Sequence, residues 1–246
     1  MTAVASHTRT GEFEQLYIRL RSKEGRVYTD EQVAQLPFID KNHAHYKEWK
    51  IRTSSFNKLL AYIQHKRAEL NILEVGCGNG WLSAQIATGT KAKVTGIDIN
   101  NTELEQAKRV FQKQPNLHFL NSDLGDGIFG NRKFDIIIFA ASIQYFSSLS
   151  QVLAVSLRHL TANGEIHLLD SNFYHPTERL AAKERTKDYY ASMGFPELSN
   201  YYYHHSIEDL EPFRFTVLHN PGSWRNKLTG VKNPFHWIVI KDKISS

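Results

Sequence analysis

A single cysteine, Cys77, among 246 residues leaves nothing to pair with in an internal disulfide, so the chain fits a reducing compartment. Long apolar runs are also missing. The longest, Ile136 to Ala141, falls far short of the roughly 20 residues that a membrane-spanning helix needs, so no membrane span is expected. Met1 to Glu12 lack an apolar stretch of signal-peptide length, and the cytoplasm is the expected location. No cysteine or carboxylate joins His43 and His45, or His204 and His205, at metal-ligand spacing, so no metal is expected. There is no block of like charge. The net charge is +5, and residues 1–70 hold 12 Lys and Arg against 8 Asp and Glu, but the charges are interspersed and read as a solvated surface. Nucleic acid is therefore not the expected partner.

What the chain has is 41% hydrophobic content, enough for one domain with a sizeable core, and a distinctive stretch from Asn71 to Leu82. Its sequence, Asn-Ile-Leu-Glu-Val-Gly-Cys-Gly-Asn-Gly-Trp-Leu, reads as strand, tight turn and helix. Ile72, Leu73 and Val75 suit a buried parallel strand, while Gly76, Gly78 and Gly80 let a ligand approach the turn backbone. Free backbone N–H groups and the positive end of a helix starting near Trp81 favour an anionic or carbonyl-bearing group there. The Gly-x-Gly-x-Gly spacing differs from the Gly-x-Gly-x-x-Gly of dinucleotide folds. A second strand, Lys93 to Ile97, ends in Asp98, 18 residues after Gly80, where a carboxylate can accept hydrogen bonds from a ribose diol.

Strands and helices then alternate. Thr102-x-x-Glu105 reads as a capping box opening a helix, His118 to Leu120 as a third strand, and the nearly all-apolar Phe134 to Ala141 as a central strand covered on both faces. A helix from about Ser150 to Leu160 is expected to end in a left-handed cap near Gly164, followed by a strand from Glu165 to Leu169. Phe213 to His219 and Phe235 to Lys241 complete seven strands. Before the core, residues 1–28 are expected to be a mobile end with one short helix around Phe13 to Leu20. Asp30 to Leu36 form a brief helix, and Ala44 to Arg67 a longer one. Tyr46, Trp49 and Arg52 are its candidate lid residues.

These motifs resemble the class I S-adenosylmethionine-dependent methyltransferases, closest to the small-molecule group that includes the ubiquinone-biosynthesis type. Ile72 to Gly80 matches the family's first motif, Gly96-Ile97-Asp98-Ile99 its second strand and acidic tip, Asn121-Ser122-Asp123-Leu124 the acidic turn after the third strand, and Phe134 to Ala140 the fourth strand. The resemblance implies an α/β fold: a Rossmann-like, doubly wound seven-stranded sheet, mostly parallel with an antiparallel final strand and helices on both faces. Residues 69–246 would form the core, 1–68 a helical extension and possible cofactor lid, and 171–210 a substrate-lid insertion. It implies S-adenosyl-L-methionine as cofactor, held by Glu74, Gly76, Cys77, Gly78, Asn79, Gly80, Asp98, Ile99, Asp123, Leu124, Ala140 and Gln144.

The expected reaction is in-line transfer of a methyl group to an O or N atom of a small molecule, where alignment supplies much of the acceleration. Amino-methylating nucleic-acid enzymes carry Asn or Asp, then Pro-Pro and an aromatic residue, at the exit of the fourth strand. Here that exit is Ala140-Ala141-Ser142-Ile143-Gln144-Tyr145, which counts against such a substrate. If a base is used, His204 and His205, with Tyr203 beside them, are the candidates, because histidine titrates nearest neutral pH. Competing readings are an RNA or protein methyltransferase docking through the basic N-terminal region, and a non-catalytic S-adenosylmethionine-binding subunit. The oligomeric state is open.

Overall fold

Ile136, Ile137, Ile138 and Phe139 are all fully enclosed, and they alternate between two cores on opposite sides of one sheet. That is the period-two packing of a strand covered on both faces. The computed structural model describes residues 11–66, 69–228 and 232–241. Residues 1–10, part of the expected mobile end, and Arg67, the expected last residue of the long helix, lie outside them.

The strands are β1 (Asn71–Val75), β2 (Lys93–Asp98), β3 (Leu117–Asn121), β4 (Phe134–Ala140), β5 (Leu160–Ser171), β6 (Arg214–His219) and β7 (His236–Lys241), in the order β3-β2-β1-β4-β5-β7-β6. The first five pair in parallel; β7 runs antiparallel to both β5 and β6. The switch point lies between β1 and β4, where the crossovers leave in opposite directions and open a crevice at the strands' carboxyl ends.

Three helices precede the sheet: α1 (Gly11–Lys23), α2 (Asp30–Gln35) and α3 (Tyr46–Gln64). Within it, α4 (Trp81–Gly89) follows β1, α5 (Asn101–Val110) follows β2, α6 (Leu149–Arg158) precedes β5, and α7 (Pro176–Ser192) follows it. A third apolar cluster joins Phe13 and Leu20 of α1 to Tyr190, Phe195 and Leu198 beyond β5, with Tyr17, Tyr145, Tyr201 and Tyr202 against it. The N-terminal segment thus packs on the 171–210 region through aromatic rings, among them Phe13 and Tyr201 at 4.8 Å between centroids.

Two local expectations are corrected. The cap of α5 is Asn100, whose side chain accepts from the Glu103 N–H at 3.1 Å; the expected Thr102 box does not form, because Thr102 binds Glu14 of α1 instead. The helix before β5 ends at Arg158, and the strand begins at Leu160, paired with Phe134, so Gly164 lies inside β5 and caps nothing. A register shift between Phe134 and Ile136 absorbs the intervening residues.

At the opposite end of the sheet from the crevice, buried Glu165 accepts from Tyr62 at 2.9 Å, Lys66 at 2.8 Å and Lys241 at 2.9 Å. His167 lies 3.3 Å from the same carboxylate, and its Nδ1 accepts the Trp237 indole N–H at 3.1 Å. That acceptor role fixes the neutral Nε2–H tautomer, and burial lowers the ring's pKa accordingly.

Candidate active site

Three connected cavities occupy the crevice, and Ala141 borders all of them. The first, about 100 Å³, lies between α1 and the tips of β1, β2 and β4, with Gly76, Gly78, Asp98, Ile99, Asn100, Glu103, Ser122, Asp123 and Leu124 on its walls. The second, about 110 Å³, continues past Gly76, Cys77, Gly78, Asn79 and Ala140 towards Arg21, Arg26 and Arg52. The third, about 370 Å³, lies under α7 and is lined by Arg52, Gln144, Asp170, Arg185 and five tyrosines, 145, 174, 189, 190 and 202.

The glycine turn is built to be close. Gly76, at φ +75°, has Ser142 so near that an added Cβ would stand 2.5 Å from the Ser142 Cβ; the Ser142 hydroxyl donates to the Val75 carbonyl at 2.6 Å. Gly80, at φ +74°, borders none of the three cavities. A Cβ there would meet the Phe119 ring at 2.4 Å, so Gly80 serves packing.

Most of the turn's N–H groups are engaged within the fold, contrary to the sequence reading. Those of Gly76 and Cys77 donate to the Ile97 carbonyl, and that of Gly78 donates to Asp98 Oδ2 at 2.7 Å. The start of α4 is filled as well. Asn79 Oδ1 receives the Trp81 N–H at 3.4 Å, and buried Glu74 takes the hydroxyl and backbone N–H of Ser83. The turn itself, Gly76 to Gly80, carries no cation for an anionic ligand group.

Carboxylates crowd this end. Asp98 also accepts from the Asn100 N–H at 2.7 Å, and Glu103 lies beside it. Burial, with the charge of Asp98, raises Glu103 to about 7; burial raises Glu74 to about 8 against the pull of Ser83. Raised carboxylate pKa values stabilise the fold below the ordinary range near 4.5, and that contribution is lost as pH climbs through about 7 and 8. The protein without ligand is therefore expected to lose thermal stability between pH 5.5 and 8.5. The double variant Glu74→Gln, Glu103→Gln is expected to lose less; parallel slopes in a pH series of melting temperatures would sink this account.

Burial and the surrounding carboxylates push the Cys77 thiol well up, so it is no nucleophile. Asn100 Nδ2 is buried without a hydrogen-bond partner at the edge of the first cavity, an orphan donor at the place where a ribose is expected. With the turn glycines open to approach and Asp98, Asp123 and Leu124 on the same wall, the donor set suits an adenosyl group.

Of the expected cofactor residues, all but Gly80 and Gln144 line the first two cavities. Gln144 lines the third, where it receives the Ser171 hydroxyl at 2.8 Å and donates to the Ala141 carbonyl at 2.6 Å. The expected lid residues part company. Arg52 borders two of the cavities, Trp49 is packed against Trp81 and also lines the second, and Tyr46 faces a separate groove beside Phe38.

His204, His205 and Tyr203 line none of the three cavities. His204 bonds Thr186 at 2.8 Å behind Tyr174 and Tyr202, and burial lowers it to about 4. His205 is buried with Nε2 3.2 Å from the Ile143 carbonyl and is also lowered. The Tyr203 N–H donates to the Gln144 carbonyl at 2.7 Å.

The residue that sequence reasoning passed over is Asp170. It lies at the tip of β5, is 8% exposed, and its Oδ1 accepts the Ser55 hydroxyl at 2.6 Å. Burial raises its pKa, with the Arg52 charge opposing. Asp170, at φ +51°, and Ala141, at φ +54°, are the two non-glycine residues with positive φ among those described, and both border the third cavity. Strain of this kind concentrates at functional sites. Its sequence signal was only a carboxylate directly after a strand.

Residues 72–164 match the family model described as a methyltransferase domain. Among curated proteins, the chain is 24% identical over 174 residues to a malonyl-[acyl-carrier protein] O-methyltransferase of Halalkalibacterium halodurans, covering 64% of each chain. It is 28% identical over 151 residues to the Acetivibrio thermocellus protein of the same name, covering 60% of this chain and 52% of the relative. The chain thus spans less than two thirds of the length of these relatives. Among solved structures, the fold is shared with magnesium protoporphyrin IX methyltransferase from Synechocystis with bound SAH, at TM-score 0.57, 15% identity and coverage of 97% and 98%. It is also shared with geranyl diphosphate C-methyltransferase from Streptomyces coelicolor, at TM-score 0.58, 13% identity and coverage of 82% and 84%.

Proposed function

We propose, for a chain whose residues 72–164 are a class I S-adenosylmethionine-dependent methyltransferase domain, that the whole protein moves a methyl group from S-adenosylmethionine to an oxygen or nitrogen atom of a small molecule. The observation that carries this reading is Ala141, which borders both the two cavities suited to the cofactor and the larger ring-lined one suited to an acceptor. Bound S-adenosylmethionine supplies an activated methyl group. The protein's part is to align the acceptor with it, exclude water and receive a proton.

Asp98 and Asn100 take the ribose; Ser122, Asp123 and Leu124 take the adenine; Gly76 and Gly78 admit the chain leading to sulfur. The tyrosines of the third cavity favour a planar or apolar acceptor of limited size, and the O-methyltransferase relatives favour oxygen as the attacked atom. Asp170 is the proton acceptor in this reading, with Ser55 bonded to its carboxylate and the Arg52 charge acting on it from nearby. His204 stands behind it as a support for Tyr202 and Thr186. The five tyrosines around a cavity of about 370 Å³ favour a small molecule over RNA, and the absence of a long apolar helix among the described residues gives no reason to invoke a membrane span.

Thermal unfolding with S-adenosylhomocysteine tests the cofactor half of the proposal. At about 100 times its dissociation constant the ligand adds roughly 2.7 kcal/mol, a rise of several degrees for a chain of this size. The rise is expected to vanish in Asp98→Ala, which removes the carboxylate tying Gly78 to Asn100. A folded protein that responds to neither S-adenosylmethionine nor S-adenosylhomocysteine would end the proposal.

A further inference from the structure

The amino-acid end of the cofactor carries a carboxylate, and most N–H groups of the glycine turn and the start of α4 are already engaged. Those of Gly76, Cys77 and Gly78 are spent on Ile97 and Asp98, and Asn79 and Glu74 take the N–H groups of Trp81 and Ser83 at the start of α4. The sheet side of the second cavity offers the carboxyl groups of Glu74 and Glu103, which suit an ammonium, and no cation. The opposite wall is basic and comes from the chain before residue 69: Arg21, Arg26 and Arg52.

These arginines are not equivalent. Arg21 is engaged by Glu24 at 3.0 Å and by the Tyr17 hydroxyl at 2.8 Å. Arg26 spans Glu24 and Glu48, at 3.2 and 2.6 Å, with Nε buried and not aligned for a hydrogen bond. Arg52 gives Nε to Glu48 at 3.1 Å and lies over the Trp49 ring, with its guanidinium carbon 5.6 Å from the centroid. Among the described residues its two terminal nitrogens have no hydrogen-bond or ion-pair partner. They form a planar fork at the cavity wall, the geometry that pairs with a carboxylate through two bonds.

We propose that Arg52 is the positioning residue that grips the α-carboxylate of the cofactor's amino-acid end, with Arg26 beside it, so that a helix outside the matched methyltransferase domain completes the cofactor site. This rests on the function proposed above. The acidic wall and the basic wall together recognise a zwitterion. Because Arg52 also borders the third cavity, the same grip sets the sulfur end of the cofactor against the acceptor.

The test is equilibrium binding by titration calorimetry of two probes, S-adenosylhomocysteine and 5′-methylthioadenosine, which shares the adenosyl thioether but lacks the amino acid. Wild type is expected to bind S-adenosylhomocysteine more tightly than 5′-methylthioadenosine. Arg52→Gln is expected to weaken S-adenosylhomocysteine at least about tenfold, the loss of a charge-assisted pair, and to leave 5′-methylthioadenosine within twofold. Arg52→Lys, which keeps charge but not the fork, should fall between. Unchanged 5′-methylthioadenosine binding also shows that each variant is folded. An equal loss for both probes, or no loss for either, overturns the proposal while the cofactor reading stands. A wild type that binds neither probe overturns both.

Discussion

Replacing Asp170 with Asn is expected to lower turnover by about 10²- to 10⁴-fold, the range that a positioned base contributes, while S-adenosylhomocysteine still binds within about twofold of wild type. The variant is nearly isosteric, and its amide oxygen can still accept the Ser55 hydroxyl, so the tip of β5 keeps its shape. What it loses is a carboxylate that can take a proton. Burial raises the pKa of Asp170, and the nearby charge of Glu48 adds to that, while Arg52 opposes. In wild type the rate should rise with pH through that raised value and then level; in Asp170→Asn this limb should be gone. A rate and pH profile equal to wild type, measured with the first acceptor that a screen yields, would remove Asp170 from the chemistry. His204→Gln offers the contrast. Its ring is neutral across the working range and lies behind Tyr174 and Tyr202, so its replacement should affect acceptor binding more than the pH profile.

The largest stability effect is expected from Gly80→Val. The backbone there is left-handed at φ +74°, and a first side-chain atom would be driven to 2.4 Å from the Phe119 ring and 2.8 Å from the Ala107 Cβ. Left-handed strain for a branched residue costs about 1–2 kcal/mol and overpacking another 1–3 kcal/mol, so a loss of roughly 2–5 kcal/mol follows. Since β3 and α5 both meet at this point, neither can yield without moving the other. Urea unfolding should show the midpoint falling with little change in slope. A variant within about 0.5 kcal/mol of wild type would mean that Phe119 swings aside freely.

The sequence made the centre of the fold legible because local pattern and tertiary role coincide there. Ile72, Leu73 and Val75, like Ile136 to Phe139, put apolar side chains on both faces as buried parallel strands do, and glycines break the chain where it turns. Seven strands and the acidic tip at Asp98 followed from the same signals, and the antiparallel end from the family resemblance. What stayed hidden depends on partners remote in sequence. Thr102 has the spacing of a cap, but Glu14, 88 residues away, takes its N–H. Glu74 looked available for a ligand, but Ser83, one turn into α4, takes its carboxylate. The histidine pair was chosen by residue type, and type says nothing of burial; Asp170 had a chemical type as suitable and a backbone strain that no pattern of letters reveals.

The ring cluster between α1 and the 171–210 region has a consequence in time. Phe13 and Leu20 leave the ribosome early, whereas Tyr190, Phe195 and Leu198, the residues that bury them, follow some 170 positions later. At about 5–20 residues per second, α1 waits roughly 10–35 seconds for its partners during synthesis. Throughout that interval the third cavity lacks its α7 wall, and Phe13 and Tyr17 have only Ile99 and Tyr145 to pack on. The newborn chain is therefore expected to acquire cofactor binding only after the 171–210 region has emerged and packed on α1.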